Sequence, residues 1–454
     1  MAEPSAPHLR RGFSLLSATA LNISNVVGVG PFITIPLILA SMQGPQAMLG
    51  WIAGALLATC DGMVWSELGA AWPGSGGSYR FLREAYGPDK WGRLMAFLFI
   101  WQFIFSGPLE IASGLIGFAQ YFSFLAPGLT ALDLKLIAAA AGIIAFALLY
   151  RSIKGISKLT VTLWIGAMTT LIAVPLAGIG HFSAKLAFSF PPHAFNFGTG
   201  FVLGLGSAML IAIYDYMGYY DICYIGDEVR NPARTIPRSI LLCILFTACA
   251  YFALEIVIIG VVPWRQAIDS KFIASEYMQM LHGHAAAVVI TLLILWTAFA
   301  SVFALLFGYS RIPYAAARDG YFFSAFAKLH PTKDFPHVSL SVLALMSIGA
   351  AFFSLDAVIA ALITTRVLVQ FLAQIMALPL LRKRLKNELP YRMPLYPLPA
   401  VIAFLGWCFV FGSSGWDYIR FGFLTLAAGV AAFLIHARVG HKWPFASPIS
   451  AANP

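Results

Sequence analysis

The sequence predicts an all-α polytopic membrane protein with twelve transmembrane helices, on the basis of three observations. Hydrophobic residues make up 60% of the 454-residue chain, charged residues make up 11%, and the mean hydropathy is +0.81. Long apolar stretches recur along the whole chain, and basic residues are concentrated in alternate loops between them. This composition effectively excludes a soluble domain.

The apolar stretches define twelve predicted spans, with boundaries good to about four residues. In chain order they are 14–41, 46–71, 94–125, 132–150, 158–179, 199–225, 238–262, 285–312, 337–354, 356–381, 397–414 and 417–437. We interpret residues 1–454 as one transmembrane domain, with a tail at 1–12, a ten-helix core at 13–381, two additional helices at 397–437 and a second tail at 438–454.

The positions of the basic residues favour this span count and predict an orientation. With the first tail inside, 23 of the 29 Lys and Arg residues fall on the cytoplasmic side and one, Arg366, falls within a span. In a membrane protein the basic residues collect on the cytoplasmic loops, so the net charge of +10 does not indicate a nucleic-acid partner. The distribution of the basic residues predicts a multi-pass protein of the cell membrane with both termini in the cytoplasm. The five Lys and Arg residues that this orientation places on the extracellular side are Lys135, Lys185, Arg265, Lys271 and Arg420.

The first span is predicted to be retained, because Arg10 and Arg11 precede about 28 apolar residues, which is too long for the core of a signal peptide. No cysteine is predicted to bind a metal or to lie on the extracellular side, so we expect neither a cofactor nor a disulfide-linked partner subunit. The five cysteines, interpreted as packing residues, are Cys60, Cys223, Cys243, Cys249 and Cys408.

Two spans contain sequences that interrupt a helix: 25–32 in the first span, with Gly28, Gly30 and Pro31, and 214–221 in the sixth, with Gly218. Glycine removes side-chain packing and proline removes a backbone donor, which a bilayer tolerates only where the freed groups line a cavity or a ligand. Each interruption leads a group of five spans. Corresponding interruptions in two halves indicate an inverted-repeat secondary transporter with its site near the membrane midplane.

Four segments, in this order, resemble the amino acid, polyamine and organocation transporter superfamily, and the likeness extends from about residue 13 to residue 435. They are the Gly-Val-Gly-Pro-Phe interruption at 28–32, the Gly/Ser-rich run at 65–80, the charged loop at 226–238 and the Arg-Ile-Pro-Tyr segment at 311–320. Within the superfamily the chain is most similar to bacterial amino acid permeases and plant-type polyamine uptake carriers. The resemblance implies a five-plus-five leucine-transporter-like fold, with spans eleven and twelve outside the repeat.

The first interruption is a candidate site for a carboxylate. Free N–H groups at 29–32 and the positive end of the following half-helix suit an anion. The resemblance implies that this backbone binds the substrate carboxylate, although valine and Pro31 replace the family's usual serine and apolar residue. A proline kink packed by glycines is the alternative. The candidate binding residues here are Asn25, Val27, Gly28, Val29 and Gly30.

The second interruption offers carbonyl groups and the negative end of a half-helix, which favour a cation or an ammonium group. The resemblance places Tyr214 at an aromatic gate over the substrate, where cation-π contact is available, although an aromatic in a span is usually a core residue. Asp215 stands where many amino acid carriers have a small residue, and a buried carboxylate needs a cation or a proton. Gly218 completes the candidate binding residues of this segment.

Three of the other ionisable residues within spans are further candidates, because such groups are functional by default there. Glu110 is a candidate for contact with substrate or proton, and plant-type polyamine carriers have a similar Ser-Gly-x-x-acid arrangement. Asp61 is a second candidate for proton coupling. Arg366 is a gating or coupling candidate that needs a partner. If it neutralises Glu110, Asp215 or Asp61, that acid is structural and the cationic-substrate hypothesis loses support.

The leading hypothesis is a secondary transporter that moves an amino acid or organic cation by alternating access, with a cationic amino acid or polyamine preferred. A neutral amino acid permease or exchanger is the alternative. The fifth span has no lysine at 163–168, so proton coupling through Glu110 or Asp215, sodium coupling and exchange all stay open. An ion channel is disfavoured because no selectivity-filter run occurs, and a membrane enzyme because no catalytic or metal-ligand spacing occurs within the spans.

Overall fold

The structure, a computed structural model, describes residues 11–74, 76–150, 156–333, 335–386 and 388–439. Most of the two predicted tails lies outside these ranges, as do four basic residues used to predict the orientation, namely Arg10, Arg151, Lys154 and Lys442. The described part of the chain is helical, and its only β-type pairing is a single bridge between Phe13 and Val229.

The α-helices are numbered in chain order, and every predicted span overlaps at least one of them. They are α1 Leu15–Val26, α2 Gly30–Met42, α3 Leu49–Ala71, α4 Ser78–Tyr86, α5 Gly92–Leu125, α6 Ala131–Leu149, α7 Ile156–Gly178, α8 Ala184–Ala187, α9 Thr199–Tyr216, α10 Pro232–Ile259, α11 Trp264–Asp269, α12 Ile273–Tyr309, α13 Arg311–Arg318, α14 His337–Ala350, α15 Leu355–Arg366, α16 Ala373–Leu385, α17 Leu398–Ser413 and α18 Trp416–Val439.

The number of long apolar helices confirms a polytopic membrane protein. Within the described ranges, eight helical stretches are long and apolar enough to cross a membrane, and the bent pair of α1 and α2 makes a ninth. Three shorter apolar helices, at Ile165–His181, His337–Ala350 and Leu398–Ser413, occupy the remaining predicted spans. The twelve-span count and the inverted repeat stay predictions.

One predicted boundary was wrong. The helix of the seventh span, α10, begins at Pro232 rather than near 238. Proline is well tolerated in the first turn of a helix, where its missing N–H has no helical partner anyway. The eighth span was predicted to begin near residue 285, and α12 is indeed interrupted at Gly283, whose φ of +80° is not helical. Its part before Gly283, from Ile273, lies outside the predicted span.

The first span is broken where the sequence predicted it. The axes of α1 and α2 differ by 56° across a break of three residues. The helical ladder of α1 stops at Val27, whose N–H donates to the Ile23 carbonyl, and the next backbone bond runs from Phe32 N–H to the Val29 carbonyl. The N–H groups of residues 28–30 lie between these two bonds, at the start of α2.

The sixth span also loses its α-helix in the middle, and the part of it after Tyr216 is not α-helical. The helix α9 ends at Tyr216, Gly218 follows with φ +106°, and a single 3₁₀ turn covers Asp221–Tyr224. A left-handed φ of this kind favours glycine. The Ile222 N–H donates to Asn22 Oδ1 of α1 at 2.9 Å, so the second interruption is tied to the first.

The helices around the two breaks form one tightly packed core. The α3 helix packs against both α9 and α10, while α5 packs along α12 and α15. The ring of Trp51 on α3 meets the rings of Tyr216 and Tyr251 edge-on, at centroid distances of 5.7 and 5.6 Å. This packing holds the two interrupted segments face to face.

Candidate functional site

A small cavity of about 30 Å³ lies between the two breaks. It receives side chains or backbone from α1, α2, α5, α9 and α12, so it is built from residues far apart in the sequence. Seven of the predicted site residues line it, namely Asn25, Gly28, Val29, Gly30, Glu110, Tyr214 and Asp215. The other lining residues are Val26, Ser113, Gly114, Met217, Ser301 and Leu305.

The two glycines of the first break are in close contact with polar side chains from other helices. A Cβ atom on Gly30 would lie 2.1 Å from Asp215 Oδ1, and one on Gly28 would lie 2.8 Å from Ser301 Oγ. Real Cβ atoms do not approach so closely without a shift of the neighbour. Glycine therefore leaves room for the Asp215 and Ser301 side chains, which an added Cβ would displace.

Asp215 is buried at this contact, with 4% of its surface exposed. Its Oδ2 accepts a hydrogen bond of 2.5 Å from the Thr34 hydroxyl on α2. Its Oδ1, which faces Gly30, has no hydrogen-bond partner among the described residues. A buried polar atom without a partner is costly and requires an explanation, and the cavity that Asp215 lines provides one.

Tyr214 connects the second break to the third span. Its hydroxyl shares a 2.7 Å hydrogen bond with Ser113 Oγ on α5, and Ser113 in turn donates to the Glu110 carbonyl. The ring therefore forms one wall of the cavity and is fixed at its far end. When α9 moves relative to α5, this hydrogen bond either breaks or holds the two residues together as they move.

Glu110 and Arg366 form a buried ion pair beside the cavity. Arg366 Nη2 lies 2.5 Å from Glu110 Oε2, and the two side chains are 2% and 14% exposed. The same carboxylate oxygen accepts a 2.7 Å bond from the Tyr309 hydroxyl, and Arg366 Nε donates to Ser106 Oγ at 3.2 Å. Among the partners that the sequence left open for Arg366, the structure selects Glu110. Because Arg366 neutralises it, Glu110 is not a free acid awaiting a cation.

The other predicted residues lie near the cavity without lining it. Val27 makes the last helical backbone hydrogen bond of α1. Gly218 packs against the backbone of the first break, since a Cβ on Gly218 would lie 3.3 Å from the Asn25 carbonyl carbon. Asp61 lies elsewhere on α3, where its oxygens accept bonds from the Tyr219 hydroxyl at 2.6 Å and the Trp407 indole N–H at 3.2 Å. A role of Asp61 in coupling stays a prediction.

Glu255, which is fully buried on α10, was not among the site residues predicted from the sequence. Its Oε2 accepts a hydrogen bond from the Trp51 indole N–H, and its Oε1 has no partner among the described residues. A signal was present, because a single acid stands in the apolar run of the seventh predicted span, and such residues are functional by default.

The cavity can bind a small polar solute by hydrogen bonds and charge. Within the described residues no group of three or more His, Cys, Asp or Glu is placed to hold a metal ion. The five cysteines are unbridged, with Cys60, Cys223 and Cys243 buried and Cys249 and Cys408 exposed. The backbone N–H groups of the first break and the Asp215 carboxylate both border the cavity, and together they provide both signs of charge for a solute that carries both.

Comparison with known proteins identifies the family. Residues 13–437 match the amino acid permease family. The chain is 23% identical to a methylthioribose transporter of Bacillus subtilis, over 96% of this chain and 95% of the relative. It is 25% identical to the serine/threonine exchanger SteT of the same organism, over 89% of this chain and 91% of the relative. It is also 25% identical to cationic amino acid transporter 4 of Mus musculus, over 80% of this chain and 57% of the relative.

The match covers nearly the whole chain, including both breaks and every long helix. The family and these relatives are permeases and transporters, not enzymes. The chain therefore belongs to the amino acid permease family, within the amino acid, polyamine and organocation transporter superfamily.

Proposed function

We propose that the protein is a secondary active transporter that moves amino acids across the cell membrane by alternating access. The observation that carries this proposal is the cavity between two interrupted spans, with the start of α2 on one side and the end of α9 on the other. The N–H groups of residues 28–30 suit the substrate carboxylate, and the C-terminal end of α9 suits its ammonium group.

The architecture in this proposal is the twelve-span, five-plus-five arrangement, with the core at 13–381, two more helices at 397–437, and both termini in the cytoplasm. Two features support it. The three shorter apolar helices supplement the nine possible spans. The helices that the repeat would relate also pack in pairs, α3 with α10 and α5 with α12.

The size of the cavity requires a conformational change during transport. A volume of about 30 Å³ holds only about two or three water molecules, because a single water needs roughly 10–15 Å³ by this measure. An amino acid fits only after the walls move apart. The hydrogen bond between Tyr214 and Ser113 links α9 to α5. Such an opening either breaks this bond or moves both residues together.

The ion pair of Glu110 and Arg366 favours a neutral amino acid as the substrate. With Glu110 neutralised, the cavity has one acid fewer to balance a cationic side chain. A polyamine has no carboxylate for the N–H groups of the first break, and so leaves that half of the site unused. A relative named as a serine/threonine exchanger is consistent with a neutral substrate.

A cationic amino acid is the second candidate, and Asp215 is the observation that favours it. Its carboxylate lines the cavity and belongs to none of the ion pairs of the described residues. A lysine or arginine substrate would supply the missing charge. One relative is named as a cationic amino acid transporter.

Counterflow in proteoliposomes tests the proposal. Purified protein is reconstituted with unlabelled alanine, serine, arginine or putrescine inside, and entry of the labelled compound is measured without any ion gradient. We expect exchange of alanine or serine, with arginine exchange if the second candidate is correct. Exchange of putrescine alone, or of no amino acid from a full panel of twenty, would refute the proposal. Empty liposomes and the Gly30→Ala variant provide the background.

A further inference from the structure

Another cavity, of about 370 Å³, lies at the end of α2 that is remote from the first break. Its walls come from the last residues of α2, a 3₁₀ turn at Pro45–Met48, the loop before α9, the first turn of α9 and the start of α11. In the proposed orientation this outer cavity lies at the extracellular end of the protein. It shares no lining residue with the transport cavity, so it is a separate candidate binding site.

The lining of the outer cavity is polar but uncharged. None of the described residues that line it is Asp, Glu, Lys or Arg. Three residues with side-chain amides contribute to it, namely Gln43, Gln46 and Asn196, and His193 adds an imidazole. An amide both donates and accepts hydrogen bonds. The lining therefore suits a ligand whose groups also donate and accept, as hydroxyl groups do.

One of these amides is incompletely paired. Gln46 is 5% exposed, and its Nε2 donates to the Met42 carbonyl at 2.6 Å. Its Oε1 has no partner among the described residues and lies close to Gly44, where a Cβ would be 2.4 Å from it. A buried acceptor without a donor is costly and requires an explanation. After a small rotation of the amide, a ligand hydroxyl in the cavity would supply the missing donor.

His193 occupies a backbone position that usually requires glycine. It has φ +63° and follows Pro192 in a turn closed by a 3.1 Å bond from the Ala194 N–H to the Pro191 carbonyl. A proline followed by a left-handed residue is the pattern of a type II turn, in which that residue is normally glycine or asparagine. Strained residues of this kind cluster at sites that hold ligands. A ligand contact of the imidazole would account for a histidine here.

Two aromatic residues, Phe201 and Trp264, complete the lining that the argument uses. Trp264 is held in place, because its indole N–H donates to the Ser189 carbonyl at 2.9 Å and the Arg265 guanidinium lies over its ring at 4.5 Å from the centroid. Arg265 itself does not line the cavity. Aromatic rings give a rigid apolar surface against which the C–H groups of a ligand can pack.

The combination selects one class of ligand. A charged molecule would lose hydration without meeting an opposite charge, and a wholly apolar molecule would leave the amides without partners. A neutral molecule with several hydroxyl groups can bond to the amides while its C–H faces pack on the rings. The volume of about 370 Å³ is near the lower end of the range for small-molecule sites, which indicates a ligand of about monosaccharide size.

The helices around the outer cavity connect it to transport. Both α2 and α9 also border the transport cavity, and α2 packs against α9 and α11. In the present conformation the outer cavity has about 370 Å³ of space, whereas the transport cavity has about 30 Å³ and is too small for an amino acid. A ligand that bridges α2, α9 and α11 binds this closed conformation, and a ligand shifts the equilibrium towards the conformation that it binds.

We propose that the outer cavity is a regulatory site for a neutral, polyhydroxylated molecule of about monosaccharide size, which holds the carrier closed and slows transport. Binding at this site does not depend on the proposed function. Only the effect on transport rests on it.

The experiment measures binding and transport separately on the full chain. Equilibrium dialysis of purified protein uses the neutral probes glucose, ribose and myo-inositol and the charged probes glucosamine and glucuronate, all radiolabelled. Counterflow in proteoliposomes is then measured with and without each probe that binds. The variants are His193→Gly and Asn196→Ala. The control is Leu395→Gly, which relieves a similar left-handed φ of +59° at a residue that is 77% exposed and outside the cavity.

We expect the wild type and Leu395→Gly to bind at least one neutral probe, and their counterflow to fall by about fivefold or more at saturation, within the usual range of coupling between sites. Both cavity variants should exchange amino acids normally without a probe. Their affinity for the probe should fall by roughly 2–10-fold, the equivalent of one hydrogen bond. Folding of His193→Gly is not at risk, because glycine adopts this φ without strain.

The inference is overturned if no neutral probe binds, if a charged probe binds as tightly, if both cavity variants bind like the wild type, or if binding leaves counterflow unchanged. Absence of amino acid exchange without any probe refutes the proposed function instead. Hydrogen exchange on the wild type locates the bound probe. We expect slower exchange at residues 42–46 and 190–201, and protection confined to residues 25–30 would place the probe in the transport cavity and overturn the inference.

Discussion

The ion pair between Arg366 and Glu110 can be tested by removing one charge and then both. In Arg366→Gln the Glu110 carboxylate stays buried but loses its cation. In the double variant with Glu110→Gln both charges are gone, and two neutral amides can bond to each other. We expect the single variant to be less stable than the double variant, although it carries fewer substitutions.

The magnitude follows from the geometry. The charged atoms lie 2.5 Å apart, so the charge centres are about 4 Å apart, which corresponds to about 4 kcal/mol of attraction at an effective dielectric constant of about 20. Removing one partner of a buried pair typically costs about 3–5 kcal/mol, because an uncompensated charge remains. Removing both charges avoids that penalty, so the double-mutant cycle should show a coupling of about 2–3 kcal/mol.

The assay is equilibrium unfolding in mixed detergent micelles for the wild type, both single variants and the double variant. The control is Arg420→Gln, because Arg420 faces Asp417 at 4.0 Å with both side chains largely exposed, and such pairs contribute little. It should unfold like the wild type. Single-variant losses that simply add in the double variant would refute an energetically coupled pair, and with it the argument that Glu110 is already neutralised.

Three other variants test the site and its supports. Gly30→Ala should lower counterflow by at least about tenfold, because the new Cβ would lie 2.1 Å from a carboxylate oxygen of Asp215 and displacement of a binding group is typically this costly. The control Gly308→Ala has open space at its Cβ and should transport normally. Tyr214→Phe removes the hydroxyl that is hydrogen-bonded to Ser113 at 2.7 Å. The KM for transport should change by roughly 2–10-fold, which corresponds to the free energy of one hydrogen bond. An unchanged KM would mean that this hydrogen bond has no role in transport. Glu67→Gln removes a fully buried carboxylate that accepts two guanidinium bonds and a backbone N–H; it should lower the melting temperature in detergent, and unaltered melting would contradict a structural role.

The first break was predictable because its cause is local. Gly28, Gly30 and Pro31 stand together in an apolar run, and these residues disrupt a helix whatever surrounds them. The span boundaries also followed from hydropathy wherever the helix ends coincide with the ends of the apolar run. They failed at the start of the seventh span, where α10 begins at Pro232 rather than near 238 and its first turns include Arg234.

The contacts within the site could not be predicted, because they depend on tertiary packing. The sequence offered three acids as partners for Arg366, and Glu110 lies 256 positions away. No local pattern separates it from the others. The unpartnered oxygen of Asp215 and its approach to Gly30 likewise appear only when α2 and α9 are packed together. Glu255 was visible in the sequence as the single acid of an apolar run, but its bond to the Trp51 indole N–H appears only when α3 and α10 are packed together.

The most direct test of the account is an experimental structure determined with the transported amino acid bound. We expect ligand density between the breaks, with the carboxylate within hydrogen-bond distance of the N–H groups of residues 28–30 and the ammonium group toward the end of α9. The cavity should be larger than the present volume of about 30 Å³. A ligand bound elsewhere, or a carboxylate turned away from the first break, would contradict the account.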